Sequence, residues 1–142
     1  MEVGVLTVPL GEWSLEKTLD YLDGLGVSAI ELGSGGHPGT AHISPESLLN
    51  DSDKRGNLER LLDKYGMTVS ALATHNNPLH PDDKRSSEAD EELRRSIDLA
   101  ARLDIGCVTC FSGLPAGAPD DETPNWITAP WPTEHREVLD YQ

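Results

Sequence analysis

Short apolar runs alternate along this chain with longer segments whose leucines recur every three or four residues. That pattern predicts strands and helices in turn. Val3 to Val8 (VGVLTV) is a β-branched run closed by Pro9 and predicts a first strand. Ser14 is placed to cap a helix with Leu15, Leu19 and Leu22 on one face, closed by Gly24 and Gly26. Ser28 to Leu32 (SAIEL) predicts a second strand, stopped by the loop GSGGHPG. After a long polar connection, Asn57 is expected to cap a helix over LERLLDKY that Gly66 ends. Val69 to Thr74 predicts the third strand. Ser87 is expected to open the next helix, with Asp90 in a capping-box position and a stripe of Ala89, Leu93, Ile97 and Ala100. Cys107 to Phe111 predicts a fourth strand, and 113–132, rich in Gly and Pro, an irregular segment.

The order βαβαβαβ implies a parallel sheet with right-handed crossovers, its strands in sequential order and its helices on the outer face. A fourth helix is expected from Pro132–Thr133 through EHREVLDYQ, reaching the last residue with no cap glycine and no strand after it. The expectation is therefore one partial domain, residues 1–142, cut within that helix. A chain of 142 residues can bury one real core but not two.

Composition narrows the partners. There are 25 Asp and Glu against 11 Lys and Arg, a net charge of −14. So few cations argue against binding a nucleic-acid backbone, which needs them to replace counterions. An acidic, lysine-poor surface also suits a salt-rich cytoplasm, where screening shortens the range of self-repulsion. No apolar run approaches the ~20 residues needed to cross a membrane. The N-terminus MEVGVLTVPLGEW has no basic region and no cleavage site, so a cytoplasmic protein is expected. Cys107 and Cys110 form a CVTC run, but a spacing of three in a strand sends them to opposite faces; two small buried thiols are expected.

Strand parity points to one end of the sheet. Ile30 and Leu32 share a face of the second strand, and Leu72 lies on the corresponding face of the third. Those bulky aliphatics suit packing against helices. Glu31 lies on the opposite face with Ala29, and His75 lies with Val69, Ala71 and Ala73, small residues that suit a crowded barrel interior. Glu31 and His75 would then both point inward near the C-terminal ends of adjacent strands, where α/β active sites form. Such a pair could hold a metal or position a hydroxylated substrate. Asn76, Asn77 and His80 follow on the loop THNNPLHP, although Asn and Pro are also ordinary turn residues. The competing reading of that loop is a hydrogen-bonded polar turn. The glycines of GSGGHPG do not make a dinucleotide fingerprint, because Pro38 stands where the third glycine belongs.

The segments AIELGSGGHPGTAH, VSALATHNNPLHPD and CVTCFSGLPAG, in that order, resemble the sugar phosphate isomerase/epimerase proteins of the xylose-isomerase-like barrel group. That group also contains apurinic-endonuclease-like barrels. The resemblance runs through essentially the whole chain but covers only the N-terminal half of a family member. It departs at Asn76, where relatives usually carry glycine. It implies the first four strands of a (β/α)8 TIM barrel and a divalent metal cation held mainly by residues of later strands. Glu31 and His75 carry over as mouth residues near substrate or metal, with Asn77 and His80 beside them as further substrate-binding residues.

The function expected first is therefore the N-terminal part of a metal-dependent sugar or polyol isomerase/epimerase, acting by proton transfer next to a carbonyl. A second reading is a non-catalytic half-barrel that binds a partner. A third is an endonuclease-like phosphodiesterase, which would want more strand-end histidines than the fourth strand supplies. Half a barrel leaves its first and fourth strands as open edges, so self-association or pairing with a missing C-terminal half is expected.

Overall fold

The computed structural model describes residues 3–125 together with 136 and 140. Two compact units divide the chain. The first comprises Met1–His75 and Glu92–Cys110, the second Asn76–Glu91 and Phe111–Gln142.

The first unit holds a four-stranded sheet: β1 (Gly4–Leu6), β2 (Ala29–Gly36), β3 (Thr68–His75) and β4 (Val108–Cys110). Every pairing is parallel and the order is sequential, as the alternation of elements predicts. A single 3-10 turn, Val8–Leu10, follows β1 where Pro9 removes a donor from the strand. Helix α1 (Leu15–Gly24) is capped by the Ser14 hydroxyl, which accepts from the Lys17 N–H (3.3 Å). It buries Thr18, Leu19 and Leu22 on one face. The polar connection after β2 contains a helix that its sequence did not announce, α2 (Pro45–Asn50), capped by Ser44. Helix α3 (Ser52–Lys64) starts a turn and a half before Asn57, because Asp51 accepts from the N–H groups of Asp53 and Lys54 (3.0 and 3.1 Å). Helix α4 (Asp83–Arg102) contributes its length from Glu92 onward to this unit. Helices α1, α3 and α4 end alike. Val27, Met67 and Ile105 each donate back to the carbonyl five residues earlier, after Gly26, Gly66 and Asp104 take left-handed backbone.

The core follows the predicted faces. Ile30, Leu32 and Leu72 are fully buried under Leu19 and Leu22 of α1, Leu58 of α3 and Leu99 of α4. Of the stripe expected on α4, Ala89 and Ala100 are buried and Leu93 partly so, but Ile97 is 49% exposed and its place is taken by Ser96 and Leu99, both buried. Ser96 can face the sheet because its hydroxyl pairs with that of Ser34 (2.9 Å) on a glycine-rich stretch of β2.

Strand β2 also runs past Leu32. Gly33, Gly35 and Gly36 pair with Ala73, Thr74 and His75, so GSGG is strand rather than loop. A side chain at Gly33 would meet the Pro38 carbonyl oxygen at 2.7 Å, which is why a residue of low strand propensity stands there. The expected burial of the two cysteines is overturned, since Cys107 and Cys110 are both exposed. Among the described residues the only strand that pairs with β4 is β3.

In the second unit, the start of α4 at Asp83 precedes Ser87 by a full turn. The Asp82 carboxylate accepts from the Arg85 N–H (2.9 Å) and supplies the cap assigned to Ser87 from sequence, leaving Asp90 inside the helix. Residues 111–125 contain no helix or strand. The helix expected over 133–142 lies outside the described residues except for Arg136 and Asp140, which are helical.

Candidate functional site

Parallel register brings three polar side chains of the first unit together. Glu31 is paired with Ala71, and Thr109 with Ala73, two residues before His75 on the same face of β3. The Thr109 hydroxyl donates to Glu31 Oε1 (2.6 Å), and His75 Nε2 lies 3.2 Å from Thr109 Oγ1. A hydroxyl has one proton. With that proton given to Glu31, Thr109 accepts from His75, so Nε2 carries the imidazole hydrogen. Glu31 and His75 are thus linked through a single hydroxyl, and all three residues are only half-buried. A partly buried carboxylate so held is a hydrogen-bond acceptor set toward whatever occupies that face.

Sequence reasoning missed Thr109. CVTCF marks a fourth strand, but the register that sets Thr109 beside Ala73 is seen only in the folded sheet.

The backbone beside His75 is held as well. The His37 N–H donates to the His75 carbonyl (2.8 Å), while the His37 side chain is exposed. His42 serves the fold. Its ring nitrogens lie 2.9 Å from the Thr7 hydroxyl and 3.4 Å from that of Thr18.

Asn77 and His80 belong to the second unit and organise its loop. The Asn77 amide donates to the Leu114 carbonyl (2.9 Å), and its oxygen accepts from the N–H groups of Leu114 (2.7 Å) and Leu79 (3.2 Å). His80 Nδ1 accepts from the Asp82 N–H (2.9 Å), just ahead of α4. Burial chiefly, and then the Arg85 cation, hold the His80 imidazole below its ordinary pKa. The Asp82 carboxyl is lowered first by the Arg85 N–H that it accepts.

A pH dependence follows with a definite sign. Below the ordinary histidine value of 6.5 the unfolded chain protonates at position 80 before the native chain does. The unfolded state then binds more protons, so stability is full above that value and falls on acidification until the native His80 titrates. Urea midpoints of the wild type should therefore drop between pH 7 and 5 relative to a His80→Gln variant. Parallel curves for the two chains would refute this.

Among the described residues no group of three or more His, Cys, Asp or Glu side chains could hold a metal ion. Glu31 and His75 offer two donors at most. The described residues do not by themselves fit the divalent cation that the resemblance implies. No described helix is long and apolar enough to cross a membrane.

Four parallel strands in sequential order with helices between them are the arrangement of half a (β/α)8 barrel. His75 stands at the end of β3, whereas Glu31, expected at the C-terminal end of its strand, is the third residue of a β2 that runs on to Gly36. Residues 19–134 match the xylose isomerase-like TIM barrel family model, and the chain belongs to that family. It is similar to Uncharacterized protein YfiH of Bacillus subtilis (strain 168), with 36% identity over 144 residues. That match takes in all of this chain and 46% of YfiH, so the chain spans about half the length of this curated relative.

Proposed function

We propose that this chain is the substrate-binding N-terminal half of a sugar or polyol isomerase/epimerase that works by proton transfer next to a carbonyl. The observation that supports this reading best is the Glu31–Thr109–His75 linkage on one face of the sheet, running to the end of β3. Glu31 accepts hydrogen bonds from sugar hydroxyls. His75 presents an imidazole that orients or exchanges a proton with an oxygen of the substrate. Asn77 and His80 shape the adjoining loop sequence and reach substrate only where that loop faces it. A divalent cation, as in the resemblance, would take its principal ligands from a complementing C-terminal half.

The test is complementation. The 142-residue chain alone should show no interconversion of aldoses and ketoses, free or phosphorylated. Mixed with the C-terminal half of a full-length family member, it should incorporate solvent deuterium next to the carbonyl, and a chelator should abolish that exchange. A folded complex that binds sugars without exchanging deuterium would favour the non-catalytic binding module. Cleavage of abasic DNA instead would favour the phosphodiesterase reading.

A further inference from the structure

The glycine end of β2 is gripped from outside the sheet. Gly36 takes left-handed backbone (φ 59°), and a side chain there would overlap the backbone of His75. Its N–H donates to Glu92 Oε2 on α4 (2.8 Å). The next N–H, that of His37, donates to the His75 carbonyl (2.8 Å). At Gly35 a Cβ would meet the Thr74 hydroxyl at 3.0 Å and the Glu92 carboxylate at 3.3 Å, so a side chain there would crowd both. Thr74 Oγ1 is buried there without a hydrogen-bond partner. Of the two polar groups crowding this turn, only the carboxylate is bonded to it.

We propose that Glu92 is a positioning residue for the candidate site: it fixes the Gly36–His37 turn, and through that turn the end of β3 that carries His75. The placement rests on the Glu31–Thr109–His75 site being functional, but the brace itself is a matter of geometry. A Gly36 N–H deprived of its acceptor would be left partly buried toward α4, and the left-handed turn would lose the bond that selects it. A carboxylate acceptor makes the stronger kind of hydrogen bond, and a glutamine amide oxygen can take its place. Methionine has a similar length and helix propensity but no comparable acceptor.

Amide exchange and imidazole NMR on the full chain separate these roles without any assay of turnover. Glu92→Met should speed exchange at Gly36 and His37 by at least ~10-fold, the scale of one lost charge-assisted bond. It should also shift the His75 ring resonances while the Leu32 and Leu72 amides stay protected. Glu92→Gln should restore the wild-type pattern. Thr74→Val, which removes a hydroxyl with no partner in the same packed site, should leave it unchanged. If Glu92→Met does not fold, Glu92→Ala serves for the same comparison. The proposal is overturned if the non-acceptor variant exchanges like wild type, if glutamine fails to rescue, or if Thr74→Val produces the same change. Failure of the complementation assay would leave these outcomes readable, so the brace and the enzymatic reading can fail separately.

Discussion

Replacing His75 by alanine should lower turnover of the complemented enzyme at least ~100-fold, the lower end of what a positioned general acid or base contributes. The imidazole stands at the last residue of β3, half-buried, with its Nε2–H directed at Thr109. Truncation removes the one titratable nitrogen base of the linkage and leaves the Thr109 oxygen without that donor. The fold should tolerate the change, because His75 lies outside the hydrophobic core cluster and its backbone contacts to Gly36 and His37 do not need the ring. His75→Ala should therefore separate activity from stability: a large fall in rate with an urea midpoint close to wild type. Equal losses in both would assign His75 to structure.

The opposite separation is expected at Leu72. It is fully buried, paired with Leu32 on one side and Val108 on the other, and belongs to the cluster that α1, α3 and α4 cover. Leu72→Ala should cost about 2–5 kcal/mol, the transfer of the lost methyl groups plus the cavity left behind. Against a total stability of roughly 5–15 kcal/mol for an ordinary domain, that is a large share. By contrast Leu79→Ala, at a side chain 51% exposed, should change stability by no more than about 0.5 kcal/mol. Urea denaturation of the two variants checks the contrast. A Leu72→Ala midpoint near wild type would mean that the sheet is not closed beneath its helices.

Much of this arrangement was legible in the sequence, because it follows from period and parity. The two-residue repeat placed Ile30, Leu32 and Leu72 under the helices and Glu31 and His75 on the other face, and tertiary packing had no reason to oppose it. What could not be read depended on partners distant in the chain. Gly33 to Gly36 look like a loop until Ala73, Thr74 and His75 pair with them. The cap of α4 is Asp82 and not Ser87, because the polar residues 83–86 join the helix and the Asp82 carboxylate accepts from the Arg85 N–H. The cysteines read as buried by residue type, yet both are exposed at β4, whose only strand partner among the described residues is β3. Thr109 carried no signal of its own residue type. It matters only because β4 lies beside β3 at the level that puts its hydroxyl between Glu31 and His75.

The central claim is that Glu31 and His75 act on one ligand through the hydroxyl they share. A double-mutant cycle in the complemented enzyme tests it most directly, with deuterium exchange next to the carbonyl measured for Glu31→Gln, His75→Ala and the pair. Residues that work as one unit are strongly non-additive. The pair should therefore lose little more than His75→Ala alone, and Thr109→Val should fall between wild type and the single variants. Losses that multiply, with Thr109→Val at the wild-type rate, would contradict the account.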